Sequence, residues 1–119
     1  METKRFARKA EQISALVTGR GACFSTNKIT VDGLLVGYMY REEADFESDS
    51  GWRFMAGNES KEYLDLADKL GIYDVNTIAN YDPEIIPFLD ASVGSAFERD
   101  RQTGRFTKLA SDNTNKPVN

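Results

Sequence analysis

Hydrophobic and polar positions alternate most clearly in residues 34–57, LLVGYMYREEADFESDSGWRFMAG. Val36, Tyr38 and Tyr40 alternate with Gly37, Met39 and Arg41 in a first run, and Trp52, Phe54 and Ala56 alternate with Arg53 and Met55 in a second. A period of two in β-branched and aromatic residues marks strands with one buried face. The two runs predict an antiparallel pair over 34–41 and 51–57. Their connection supplies Glu42, Glu43, Asp45, Glu47 and Asp49 without a single Lys or Arg.

The same reading predicts further strands over 22–26, 72–75, 95–100 and 105–109, the last two forming a hairpin around Arg101-Gln102-Thr103-Gly104. A brief β-branched run at 29–31 precedes Asp32-Gly33, a dipeptide typical of hairpin turns. Helical spacing is found at 3–18, where Phe6, Ala10, Ile13 and Val17 form one stripe with Leu16 beside it. Lys4, Arg5, Arg8 and Lys9 crowd its first turns, where the helix dipole disfavours positive charge. A second helix is expected over 59–70, with Asn58 or Ser60 as N-cap and Gly71 as stop. Asp82 and Pro83 start short helical turns that Pro87 interrupts.

These elements predict a single α+β domain, a mainly antiparallel sheet of five or six strands covered on one face by the N-terminal helix and the 59–70 helix. Its boundaries are a basic amphipathic helix at 1–19, the α+β domain at 20–110 and a flexible polar tail at 111–119. The expected core is Phe24, Val36, Tyr38, Trp52, Phe54, Ile72, Val75, Ile78, Phe88 and Phe97.

Charge changes the picture more than overall composition does. The net charge is −4, but residues 1–41 hold seven basic and three acidic side chains, while 42–90 hold three basic and thirteen acidic. So acidic a middle repels nucleic acid and attracts a basic protein partner. No apolar run approaches the ~20 residues of a membrane span, so no membrane partner is expected. Charges occupy the first seventeen residues where an export signal needs an apolar stretch, and one cysteine excludes an internal disulfide. The expected compartment is the cytoplasm.

The chain has no histidine, so it lacks the commonest general base and the commonest metal ligand. With one cysteine besides, no zinc site, cofactor or catalytic residue is expected. Cys23 has neither a histidine nor a second cysteine to activate it and is expected to be a buried thiol. Three clusters remain. The acidic loop, Glu42, Glu43, Asp45, Phe46, Glu47 and Asp49, is a candidate docking surface whose carboxylates are expected to be largely exposed; Phe46 either anchors a partner or folds back onto the sheet. Asp74, Asn76, Asn80 and Asp82, followed by Pro83, either cap turns or bind a divalent ion, although Ile78 stands where an EF-hand would place a third ligand. Glu98, Arg99, Asp100, Arg101 and Arg105 read as cross-strand ion pairs at the surface.

ITVDGLLVGYMYREE, DSGWRFMAGNES, GIYDVNTIANYDPEIIPFL and GSAFERD, in that order, resemble a bacterial family first catalogued as a domain of unknown function and later grouped with the immunity proteins of polymorphic toxin systems, as number thirty-three in that scheme. The blocks lie within residues 22–100 and include Trp52, Asp74, Asn76, Asn80, Asp82 and Pro83. The resemblance implies a small cytosolic, non-catalytic α+β protein that binds and neutralises a toxin. The competing class is a small-molecule or divalent-metal-binding domain, including a hydrolase, that uses the 74–82 segment; a regulatory module is a third.

Overall fold

The computed structural model describes residues 4–109. Its centre is the predicted hairpin, with β2 (Tyr38–Arg41) antiparallel to β3 (Asp49–Met55) so that Met39 opposes Phe54 and Arg41 opposes Trp52. Around it, β1 (Ala22–Thr26), β4 (Leu70–Asp74), β5 (Ala96–Arg99) and β6 (Phe106–Lys108) complete a six-stranded sheet in the order β4-β1-β3-β2-β5-β6. The sheet is mixed: four pairings are antiparallel, but β1 runs parallel to β3. Three short helices, α1 (Asn27–Thr30), α2 (Lys61–Leu64) and α3 (Val75–Tyr81), and a 3-10 segment (Pro83–Phe88) complete the α+β domain.

One face of the sheet carries the core. Cys23, Met39, Trp52, Phe54 and Phe97 are buried there with Val36, Ile29 of α1, Val75, Ile78 and Ala79 of α3, and Ile85 of the 3-10 segment. Trp52 lies stacked 6.0 Å from Phe54, and its indole N–H donates to the Leu89 carbonyl at 3.2 Å. Asp82 ties this layer together: its side chain caps the 3-10 segment through the Glu84 N–H, accepts the Val36 N–H at 3.0 Å and pairs with Arg99 of β5.

Several expected elements take other forms. Residues 4–18 are not a helix. They form an irregular strap with one 3-10 turn, Ala10–Gln12. Asn80 Oδ1 accepts the Ser14 N–H, and Asn76 Oδ1 accepts those of Leu16 and Val17, the donors a helix would spend internally. Local spacing is overridden by side-chain acceptors from α3, reinforced by the basic residues at the helix start. Residues 29–31 and Asp32-Gly33 make no hairpin. Gly33 takes φ +78 and donates to the Ile29 carbonyl, so the left-handed residue closes α1 instead. The 59–70 helix shrinks to α2, capped by Ser60, plus a 3-10 turn at Ala67–Lys69. Leu70 already pairs with Thr26, and Gly71 lies within β4.

The expected core needs three removals. Phe24 and Tyr38 lie on the opposite face of the sheet, Phe24 beneath Arg53 and Tyr38 beside Tyr40, while Met39 takes the core position in β2. Ile72 leaves it too: it is 57% exposed, because it points from edge strand β4 to the opposite face of the sheet, while Val75 belongs to α3 and reaches the core from there. Phe24, Tyr38 and Phe88 are partly buried, and Val36, Trp52, Phe54, Val75, Ile78 and Phe97 are buried. The proposed tail at 111–119 lies outside the described residues. Replacing Trp52 by Ala removes the largest buried ring together with its hydrogen bond and is expected to cost ~3–5 kcal/mol, read as a lowered denaturant midpoint. A loss below ~0.5 kcal/mol, the size of a surface change, would contradict this packing.

Candidate functional site

The alternation that buries Trp52 and Phe54 sends Arg53 to the opposite face of β3, where the acidic connection folds over it. Its guanidinium is almost fully buried and bound bidentately by Asp49, Nη1 to Oδ1 at 3.0 Å and Nη2 to Oδ2 at 2.8 Å. Glu42 Oε2 accepts from Nε at 2.6 Å, Asp45 Oδ2 lies 3.7 Å from Nη2, and the Phe24 ring stacks beneath at 4.4 Å. Asp49 in turn accepts the backbone N–H of Asp45 and of Gly51. One buried ion pair therefore sets the curl of the whole loop. Gly51 completes it. With φ +90, an added Cβ would sit 2.2 Å from the Glu42 carbonyl oxygen, so only glycine lets the base of the loop close.

Of the expected docking residues, Asp49 must be withdrawn as an exposed one. Its side chain is fully buried, and it positions the loop rather than facing solvent. Glu42, Glu43, Asp45, Phe46 and Glu47 are exposed. Among the described residues neither Glu43 nor Glu47 makes an ion pair. Phe46 does fold back, meeting Phe24 edge-on at 6.3 Å, yet 37% of it stays exposed.

Beside the loop the second face of the sheet is open. A groove of about 300 Å³ runs between the acidic loop and α2, lined by Phe24, Tyr40, Met55, Leu64 and Leu70, with Glu42 and Arg53 at one wall. Burial pushes the Tyr40 hydroxyl pKa up, and neighbouring Glu42 adds to it. Beyond β3, Glu59 accepts the N–H groups of Ala56 and Gly57 and the Thr26 hydroxyl; these outweigh its burial and hold its carboxyl below the usual range.

The 74–82 cluster is committed to hydrogen bonds. Asp74 accepts the Asn76 N–H and so caps α3; the Asn76 and Asn80 amides both donate to the Ser14 carbonyl; Asp82 is held by Arg99. Pro83 stands at the first helical position of the 3-10 segment. No group of three or more His, Cys, Asp or Glu among the described residues is arranged to hold a metal ion.

Sequence reasoning missed both arginine centres. Arg99, expected in surface ion pairs, is largely buried and reaches Asp82, Glu84 and the Val36 carbonyl, with Phe106 stacked at 4.3 Å. For Arg53 the signal was a lone cation between the aromatic residues Trp52 and Phe54, beside a loop with surplus acid. Cys23 is buried as expected, and burial pushes its thiol well above the ordinary range.

Fold and site together define a small α+β domain whose carboxylates and aromatic side chains meet on an open sheet face. The family described as Immunity protein Imm33 domain matches residues 23–110, and the chain belongs to that family. No curated protein and no solved structure matches it. The strap at 4–18 lies before the matched region.

The Arg53 centre has a pH signature. Hydrogen bonding to Arg53 holds the Asp49 carboxyl well below the usual carboxylate range, against the cost of its burial. A depressed folded-state pKa gives stability that is full above the unfolded value of ~4 and is lost as pH falls below it. Arg53→Met strands Asp49 as a buried, unpaired charge and is expected to cost ~3–5 kcal/mol at neutral pH. Its deficit should shrink toward pH ~4 as Asp49 takes up a proton. Denaturation of both proteins across that range tests this, and a deficit that stays constant with pH would contradict it.

Proposed function

We propose that this protein neutralises a toxin in the cytoplasm of a bacterial host by binding it directly, without catalysing a reaction. The observation that carries this reading is the family match over residues 23–110. The chemistry on the page agrees with it. The chain has no histidine, and four exposed acids, Glu42, Glu43, Asp45 and Glu47, gather on one loop at the rim of an open apolar face, an arrangement suited to contact rather than turnover. The proposed partner is a basic toxin domain, met by Glu42, Glu43, Asp45, Phe46 and Glu47.

The test co-expresses this chain with the toxin domain encoded in the adjacent reading frame. Growth of the host should be restored by the wild-type protein, and purified proteins should form a stable complex. No rescue and no complex would overturn the reading. Exposed carboxylates act mainly on encounter, so Glu43→Lys with Glu47→Lys should slow association by about tenfold or more at low salt and much less at high salt. Surface-binding kinetics at several ionic strengths measure this. An unchanged rate throughout would remove the loop from the interface.

A further inference from the structure

We infer that the groove between the acidic loop and α2 is an anchor pocket for one arginine side chain of the toxin; this rests on the toxin-binding reading above. Two independent features converge there. The first is an apolar cleft left unpartnered on the sheet, about 300 Å³, with Phe24, Met55, Leu64 and Leu70 in its lining and Tyr40 on its wall. That is room for a single long side chain, and its walls suit a methylene stem. The second is charge. Glu42 and Arg53 stand at one wall of the cleft, and Asp49 and Asp45 lie against that same guanidinium, so three carboxylates surround one cation and an excess of two negative charges sits beside the cleft. Asp49 is fully buried, but the side chains of Glu42 and Asp45 remain 47% and 64% exposed and can accept from an incoming donor.

This pairing of features selects the occupant. An acidic side chain is repelled by Glu42, Asp45 and the nearby Glu43 and Glu47. A purely apolar side chain would fill the cleft but strip water from carboxylates without replacing it. A second copy of this chain docked face to face would press two acidic loops together, since a two-fold interface opposes each patch with itself. A lysine satisfies the charge, but a guanidinium also stacks on aromatic rings and spans two acceptors with its planar fork. The chain already uses that chemistry, with Arg53 over Phe24 at 4.4 Å and Arg99 over Phe106 at 4.3 Å. In the complex the anchor would extend the Arg53 stack by one further guanidinium, held by Glu42 and Asp45 and covered by Tyr40 and Met55.

Two experiments on the full chain test this. In the first, methyl-labelled protein is titrated with N-acetyl-arginine amide and, separately, with the citrulline and lysine amides. The arginine probe should shift the methyl signals of Met55, Leu64 and Leu70 saturably, with the weak ~millimolar affinity of a single residue. The lysine probe should bind less well, and the uncharged citrulline probe, identical in shape, should not saturate. Asp45→Asn, which removes the least engaged carboxylate, should weaken the arginine response several-fold. Equal responses to arginine and citrulline, signals shifted elsewhere, or no saturation at all would each overturn the inference. In the second, toxin rescue is compared for wild type, Tyr40→Ala, Met55→Arg and a control, Val93→Ser, on an exposed loop away from the groove. Met55→Arg places a cation in the cleft in advance. It and Tyr40→Ala should lose at least about tenfold in toxin affinity, with melting temperature retained, while the control binds as wild type. If wild type itself fails to protect, the toxin-binding reading is lost. If wild type protects and both groove variants protect equally well, that reading stands and the anchor pocket is lost. A concentration-dependent dimer that Met55→Arg dissolves would assign the groove to a second copy instead.

Discussion

The bidentate pair between Arg53 and Asp49 holds the acidic end of the sheet together. Geometry alone would have sent Arg53 to solvent, since it alternates with Trp52 and Phe54 and therefore points away from the core. The chain instead brings a second, smaller interior to it. Asp49 is withdrawn from water at the start of β3, Phe24 closes the underside, and the loop is drawn across the top by the Asp45 N–H and by Glu42. Two charges out of water are costly, and a pair of this kind repays the cost only when its remaining hydrogen-bonding capacity is satisfied. Here two backbone donors complete the Asp49 carboxylate, and the Trp52 carbonyl takes a further Arg53 proton. The pair is thus less a source of stability than of shape. It decides which acids face outward and where the apolar cleft opens.

The distribution of roles among the acids follows. Asp49 supports, Glu42 and Asp45 are shared between Arg53 and solvent, and Glu43 and Glu47 are left to the outside. Composition could not separate them, because all five look alike in a run without basic residues. What separates them is distance from a single cation on the neighbouring strand. That gradient sets the outermost acids on a rigid footing, the combination the proposed toxin contact would need.

Much of the fold was legible. Five of the six strands fall within two or three residues of their alternating or β-branched runs, and β2 lies inside its longer run, shortened at the front where Leu34 and Leu35 lead into the sheet. Trp52 and Phe54 announced the core face, and Asp82-Pro83 announced a helical start. Most misses share one cause: a local signal was answered by a distant partner. The stripe of Phe6, Ile13 and Val17 is real but is laid along α3 by Asn76 and Asn80 rather than wound into a helix. Asp32-Gly33 does carry a left-handed glycine, yet it closes α1. Ile72 and Val75, three residues apart, could never share one face of a strand, since alternation sets odd separations on opposite sides; Val75 reaches the core as the first residue of α3. The parallel pairing of β1 with β3 rests on residues far apart in sequence, and neither it nor the two buried arginines leaves a periodic trace.

A sheet in the order β4-β1-β3-β2-β5-β6 is not closed, so it has two lateral borders as well as an open face. Unpaired strand borders recruit strands from other molecules, a hazard that short, charged or covered edges reduce. Both borders are blunted. On one side β6 spans only three residues and ends in Lys108. On the other, the Lys4 ammonium donates to the Leu70 carbonyl, and β4 runs directly into α3 after five residues. The strap that failed to become a helix thus acts as a guard rail, and the chain can leave one broad surface uncovered without inviting fibrous aggregation along its rims.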